Sequence, residues 1–207
     1  FHGGQQKPFD PKELREFRHG EFERFFSRKI GDAFIQRDWL LQHLTTALQP
    51  RSDDKSSAKV ILITGDPGIG KSTLVASIVS AGFPNYKGEK KAADSKQSSF
   101  SVLAYHVCMA ENSDTLSVPR FVRNVASMLC QTVPGYADLL KSSYDVRKAL
   151  EQQNCERNPK AALQHGVLQP LTKLHPKELV LRSQRTHLLL IDSLDESKLT
   201  SDKLSVA

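Results

Sequence analysis

The sequence predicts an α/β fold in which a parallel sheet is flanked by helices, and three observations predict it. Gly65-Asp66-Pro67-Gly68-Ile69-Gly70-Lys71-Ser72 matches the pattern G-x-x-x-x-G-K-[ST] at every fixed position. A strand-like run precedes it and a helix-like run follows it, which is the context the pattern requires. Much later, His187-Leu188-Leu189-Leu190-Ile191-Asp192-Ser193-Leu194-Asp195-Glu196 is a second apolar run ending in acids. Between the two lie one further strand and a block of amphipathic helices, the alternation of an α/β layer fold.

The elements follow in order. Residues 10–30 mix charges with Leu14, Phe17, Phe22, Phe25 and Phe26, which predicts a largely helical stretch with an aromatic docking face. Gly31 breaks it. Asp32 leads into Phe34-Ile35-Gln36-Arg37-Asp38-Trp39-Leu40-Leu41, and Leu44 and Leu48 continue a helical spacing that Pro50 ends. Residues 51–59 are polar and read as a loop. Val60-Ile61-Leu62-Ile63 is apolar and β-branched and reads as a buried strand. The glycine segment follows, then a helix opening at residues 74–78, which Gly82 and Pro84 stop.

Residues 87–99 are rich in Lys, Ser, Ala and Gln without periodicity and read as a mobile loop. Residues 100–108 form a second strand, in which His106 reads as a packed side chain because no partner lies at metal spacing. Residues 112–118 are a loop, and Pro119 occupies a helix's first position. Phe121, Val122, Val125, Met128 and Leu129 then make one apolar face. Pro134-Gly135 is a turn, and residues 136–150 read as one amphipathic helix. Asn158-Pro159 reads as an N-cap followed by Pro, opening a helix with Leu163, Val167, Leu168, Leu171 and Leu174 on one side. His175-Pro176 ends it. The sequence holds no internal repeat.

The chemistry of the glycine segment explains its residue types. Glycines let successive backbone N–H groups turn toward a phosphate without Cβ clashes. The following helix N-terminus adds partial positive charge. Lys71 can reach the β- and γ-phosphates, and the Ser72 hydroxyl can hold Mg²⁺. Asp192, at the end of the later strand, is placed to hold the same metal ion. Asp195 or Glu196 can orient or deprotonate an attacking water. The plainer alternatives are a glycine turn that binds nothing and a buried strand running into a solvated acidic turn.

Length and composition set bounds. The chain has 207 residues, 39% hydrophobic and 25% charged, enough for one domain with a real core. Its start, Phe1-His2-Gly3-Gly4, has neither the basic opening nor the apolar core of a signal peptide. Phe1 in place of Met predicts a piece of a longer protein. No run has the length of a membrane span. Cys108, Cys130 and Cys155 are odd in number and widely spaced, which argues against a disulfide framework or zinc site and suits a reducing cytosol. The net charge of +6 is spread among acids, so a solvated basic surface is expected rather than a nucleic-acid partner.

Sequence order carries a warning. P-loop NTPases with an extra central strand place a later strand between the first and third. This sequence stops soon after its third, so its sheet would lack that middle strand and leave apolar strand edges unpaired.

The two motifs together resemble the STAND class of signal-transduction NTPases, including NACHT domains. The segments that carry the likeness are Gly65-Asp66-Pro67-Gly68-Ile69-Gly70-Lys71-Ser72-Thr73 and Asp192-Ser193-Leu194-Asp195-Glu196. Phe34-Ile35-Gln36-Arg37-Asp38 is similar to the Phe-Val-Gly-Arg-Glu segment that packs near the nucleotide base in this class, with Gln36 in place of Gly. Val102 to Cys108, Ala110-Glu111-Asn112 and Val118-Pro119-Arg120-Phe121-Val122 are similar to TANC-type proteins and their ankyrin-repeat relatives, as is the run from Ala161-Ala162 to Leu171. That family often carries Asn where this chain has Asp195, and the extra acid favours hydrolysis here.

Residues 1–30 read as an N-terminal helical segment, and the resemblance, which covers about Phe34 to Glu196, implies a P-loop NTPase domain over 31–207, incomplete at its C-terminal end. It implies ATP or ADP with Mg²⁺ as cofactors. Gly65, Asp66, Pro67, Gly68, Ile69, Gly70, Lys71, Ser72, Thr73, Ile35 and Arg37 would contact nucleotide. Ser72 and Asp192 would hold the metal, and Asp195 and Glu196 would serve catalysis. It further implies a large cytoplasmic scaffold whose protein partners bind ankyrin or tetratricopeptide repeats outside this sequence.

Two functions fit these readings. One is a slow ATPase acting as a conformational switch. The other is a scaffold that holds nucleotide for stability without turnover. A nucleic-acid-dependent ATPase lacks aromatic-basic interleaving, and a GTPase lacks the Asn-Lys-x-Asp guanine-reading motif.

Overall fold

A computed structural model describes residues 10–17, 20–30, 35, 37–48, 60–84, 86, 100–174 and 186–197. The predicted loops at 51–59 and 87–99, the Gly31 break and the His175-Pro176 stop lie outside the described residues. The chain is mixed α/β, mostly helical, with a small two-stranded parallel sheet. It divides into two compact units, Phe1–Arg18 with Met109–Arg182, and His19–Cys108 with Ser183–Ala207.

The second unit holds the sheet. Strand β1 (Phe100–Val107) pairs with β2 (Thr186–Asp192) in parallel, in a register that sets Phe100 against Thr186 and Val107 against Asp192, with one irregularity between Val102 and Ala104. β1 is buried along almost its whole length, as its continuous apolar run requires. Helix α3 (Lys71–Gly82) packs on β1. Gly82 allows the close approach, since a Cβ there would lie 3.0 Å from the Phe100 carbonyl oxygen and 3.1 Å from Val102 Cγ2. Helix α1 (Glu21–Lys29) places Phe22 and Phe26, four residues apart, against Tyr105. Phe83 meets the same ring edge-on at 4.8 Å. His106 is buried edge-on to Phe22, as a packed side chain. Helix α2 (Asp38–Leu48) buries Leu44.

The run Val60-Ile61-Leu62-Ile63 corrects the expectation of a third, buried strand. Residues 60–66 join no strand ladder among the described residues, and Val60 and Leu62 are 98% and 75% exposed. An apolar run makes a strand only where a neighbour accepts from its N–H groups and donates to its C=O groups. β2 pairs with β1 alone among the described residues, and Leu189 and Ile191 on it are exposed.

The other unit is helical. Its centre is α4 (Val118–Thr132), which buries Val122, Val125, Ala126 and Leu129 along one stripe. A short 3-10 turn, Pro11–Leu14, packs on α4, so residues 10–30 do not form one helix. Gly20, at φ 82, starts α1 separately.

The helix expected over residues 136–150 is two: α5 (Tyr136–Ser142) and α6 (Tyr144–Ala149), with Ser143 extended between them. Arg147 makes the break tolerable by donating to the Leu140 and Lys141 carbonyls that the helix end exposes. Helices α7 (Gln152–Arg157) and α8 (Pro159–Leu163) follow, and the Asn158 side chain accepts from the Ala161 N–H at 3.0 Å, as its N-cap position predicts.

The expected long helix after Asn158 is interrupted by a π turn at Gln164–Leu168 before α9 (Gln169–Lys173). Pro170 has no N–H to offer the Gly166 carbonyl four residues back. The buried Tyr136 hydroxyl donates to that carbonyl instead, at 2.6 Å. The wider turn buries Val167 and leaves Leu168 exposed, so the two do not share one face. The three cysteines carry free thiols. Among the described residues, no helix is long and apolar enough to cross a membrane.

Candidate functional site

The glycine loop is built at the start of α3. Gly68 and Gly70 have φ of 82° and 97°, which side chains with a Cβ rarely adopt. Gly70 caps α3, its carbonyl accepting from the Leu74 N–H at 3.0 Å. These conformations wrap the loop around the helix N-terminus, where unpaired N–H groups and the helix dipole favour an anion. Lys71 Nζ lies back along the loop, donating to the carbonyl oxygens of Gly65 at 2.7 Å and Asp66 at 3.1 Å. The loop is open to solvent: Asp66, Pro67, Gly68 and Ile69 are exposed, and Lys71, Ser72 and Thr73 are half-buried.

The acids of the second motif lie at the end of β2. Asp192 is buried, 5% exposed, and its carbonyl accepts from the Cys108 N–H at 3.1 Å, continuing the ladder past β1. One carboxylate oxygen, Oδ2, is buried without a hydrogen-bond partner among the described residues. Burial raises the Asp192 pKa. The neighbouring Ser72 hydroxyl and Ser193 N–H, and the charge of Lys29, pull it back down, while Asp195 adds to the rise. Ser193 adopts φ 57°, a left-handed conformation for a residue with a Cβ. It turns the chain into the short 3-10 turn Leu194–Ser197, closed by the Glu196 N–H on the Ser193 carbonyl at 3.0 Å. Asp195 is exposed and Glu196 half-buried. Both act with Asp192 on the Cys108 thiol, whose pKa burial raises first and the three carboxylates raise further.

The structure therefore brings Ser72 to Asp192. Arg37 also reaches the loop: its Nη2 donates to the Ile69 carbonyl at 2.5 Å. Ile35 is 82% exposed. Two features escaped sequence reasoning. Lys29 acts on Asp192 from α1, far away in the chain, and no local pattern marks it. The Ser193 backbone is equally silent in the sequence.

A metal ion fits this donor set. A buried carboxylate oxygen with no partner is costly unless a cation or donor meets it, and the Ser72 hydroxyl beside it supplies a second oxygen.

A family model described as Nephrocystin 3, N-terminal matches residues 36–206. The chain belongs to that family. The Nephrocystin 3 N-terminal match takes in the glycine loop, the acidic motif and every candidate site residue except Ile35. No solved structure matches the chain.

Proposed function

We propose that this chain is an ATP·Mg²⁺-binding P-loop NTPase module of STAND type that acts as a slow nucleotide-dependent switch. The observation that carries the reading is the approach of Ser72, in the first turn of α3, to the buried carboxylate of Asp192, whose pKa it lowers. It joins a glycine loop suited to phosphate with an acid suited to a cation. Family membership is compatible with a STAND or NACHT context.

The roles follow from the chain's own groups. Backbone N–H groups around Gly68 to Ser72 receive the phosphates at the helix N-terminus. Lys71 exchanges the Gly65 and Asp66 carbonyls for phosphate oxygens, gaining charge-assisted bonds. Ser72 and Asp192 would hold Mg²⁺, which when bound neutralises phosphate charge. Glu196 or Asp195 would accept a proton from, or orient, a water. A switch further needs ATP and ADP to differ in affinity for two states of the module. In keeping with the TANC-type resemblance, the module would serve a cytoplasmic scaffold whose protein partners bind repeats outside this sequence.

The second reading is a nucleotide-stabilised scaffold without turnover. The exposed approach segment at 60–66 favours it, because ligand at the adjoining loop would stabilise a segment that the sheet does not hold. Phosphate release, followed with ATP and Mg²⁺ in the wild type, Glu196→Gln and Asp195→Asn, separates the two. The switch predicts slow release that falls in at least one variant. Binding with no release in the wild type leaves the scaffold reading.

A further inference from the structure

We propose that Arg37 is the positioning residue of the glycine loop, holding the Ile69–Gly70 peptide so that the Gly70 N–H faces the phosphate site. This rests on the nucleotide-binding reading above and assigns Arg37 a task different from contacting the base.

The Ile69–Gly70 peptide group sets the geometry. It is planar and trans, so its C=O and N–H point in opposite directions. Arg37 Nη2 holds the Ile69 oxygen at 2.5 Å. Fixing that oxygen on the arginine side fixes the Gly70 N–H on the other. Gly70 is the cap of α3, so this peptide leads into the cap and its N–H stands just before the donors of the helix N-terminus.

The guanidinium also lies against the Gly70 backbone. A Cβ at Gly70 would stand 3.0 Å from Nη2, 3.4 Å from Cζ and 3.5 Å from Nη1. Glycine at this position therefore serves the arginine's approach as well as the φ of 97°. No carboxylate among the described residues pairs with Arg37 in an ion pair. Its hydrogen-bond partner among the described residues is this loop carbonyl, and its planar fork gives the bond a fixed direction. Lys71 braces the other end of the loop through Gly65 and Asp66, so two cations hold its carbonyls.

The test compares ATP·Mg²⁺ with tripolyphosphate·Mg²⁺, which has phosphates but no base. Arg37→Ala is expected to weaken both by the same factor, about tenfold for a lost hydrogen bond to a charged donor. Arg37→Lys, whose ammonium can still donate to Ile69, is expected to recover part of the loss. In the ligand-free protein, the Gly70 amide resonance is expected to move in Arg37→Ala. Weakening of ATP alone would overturn the proposal and assign Arg37 to the base. Unchanged affinity for both ligands would overturn it too. A wild type that binds neither ligand would sink the nucleotide reading, and the Gly70 resonance would then decide on Arg37 by itself: movement supports positioning, and no movement ends it.

Discussion

Ser72, in the first turn of α3, lies near enough to the buried Asp192 carboxylate at the end of β2 to lower its pKa. Burial still raises the Asp192 pKa, so the folded chain favours the protonated carboxyl. A raised folded-state pKa contributes stability that is complete in acid and is lost as pH rises through the carboxylate range. Ionised, the buried Asp192 is a burden on the folded chain. Asp192→Asn is therefore expected to raise the denaturation midpoint of the ligand-free chain at neutral pH, with the gap closing in acid. Chemical denaturation across that pH range checks it, and a lower midpoint for the variant at neutral pH would contradict it.

Arg123 is predicted to be a stability residue of the helical unit. It bonds the Glu16 carboxylate through Nε, the Leu150 carbonyl at 2.6 Å and the Glu13 carbonyl at 2.7 Å. With side chains 14% and 17% exposed, Arg123 and Glu16 form a largely buried pair rather than a surface one. Arg123→Ala strands the carboxylate and both carbonyls and is expected to cost about 3 kcal/mol. Adding Glu16→Gln should recover part of that in urea unfolding. Equal loss in single and double variants would show that the charge pair is not the cause.

Gly166 is predicted to be intolerant of any side chain. A Cβ there would stand 2.5 Å from Leu150 Cδ2 and 2.7 Å from its Cγ, and Leu150 is buried. Gly166→Ala should cost about 2 kcal/mol through overpacking. Leu150→Ala should then cost less in that background than in the wild type, because the two sites share one space. Thermal or denaturant melts of the four proteins check the coupling, and strict additivity would contradict it.

Much of this architecture is legible in the sequence, and the parts that are not have a common cause. β1, β2, α3 and α4 are read from apolar runs and helical spacing, and the Asn158 cap from residue type. These are local signals. The isolation of Val60 to Ile63 depends on which strands lie beside it, which no window on that run contains. The break at Ser143 depends on Arg147 reaching back to two carbonyls, and the π turn on the Tyr136 hydroxyl standing in for the N–H that Pro170 lacks. At the candidate site, the spacing of glycines and Lys71 announces the loop. Its meeting with Asp192 comes only from the known pattern of two motifs, and the approaches of Lys29 and Arg37 come from the fold alone.

Calorimetry of ATP·Mg²⁺ binding, run on the wild type beside Lys71→Ala, tests the nucleotide reading most directly. Lys71 bonds only backbone carbonyls of its own exposed loop in the hydrogen bonds described, so its removal should leave the fold intact. Saturable binding is expected, weakened by Lys71→Ala about 10- to 100-fold, the range for losing bonds to a charged group. No binding by the folded wild type, or equal binding by both proteins, would contradict it.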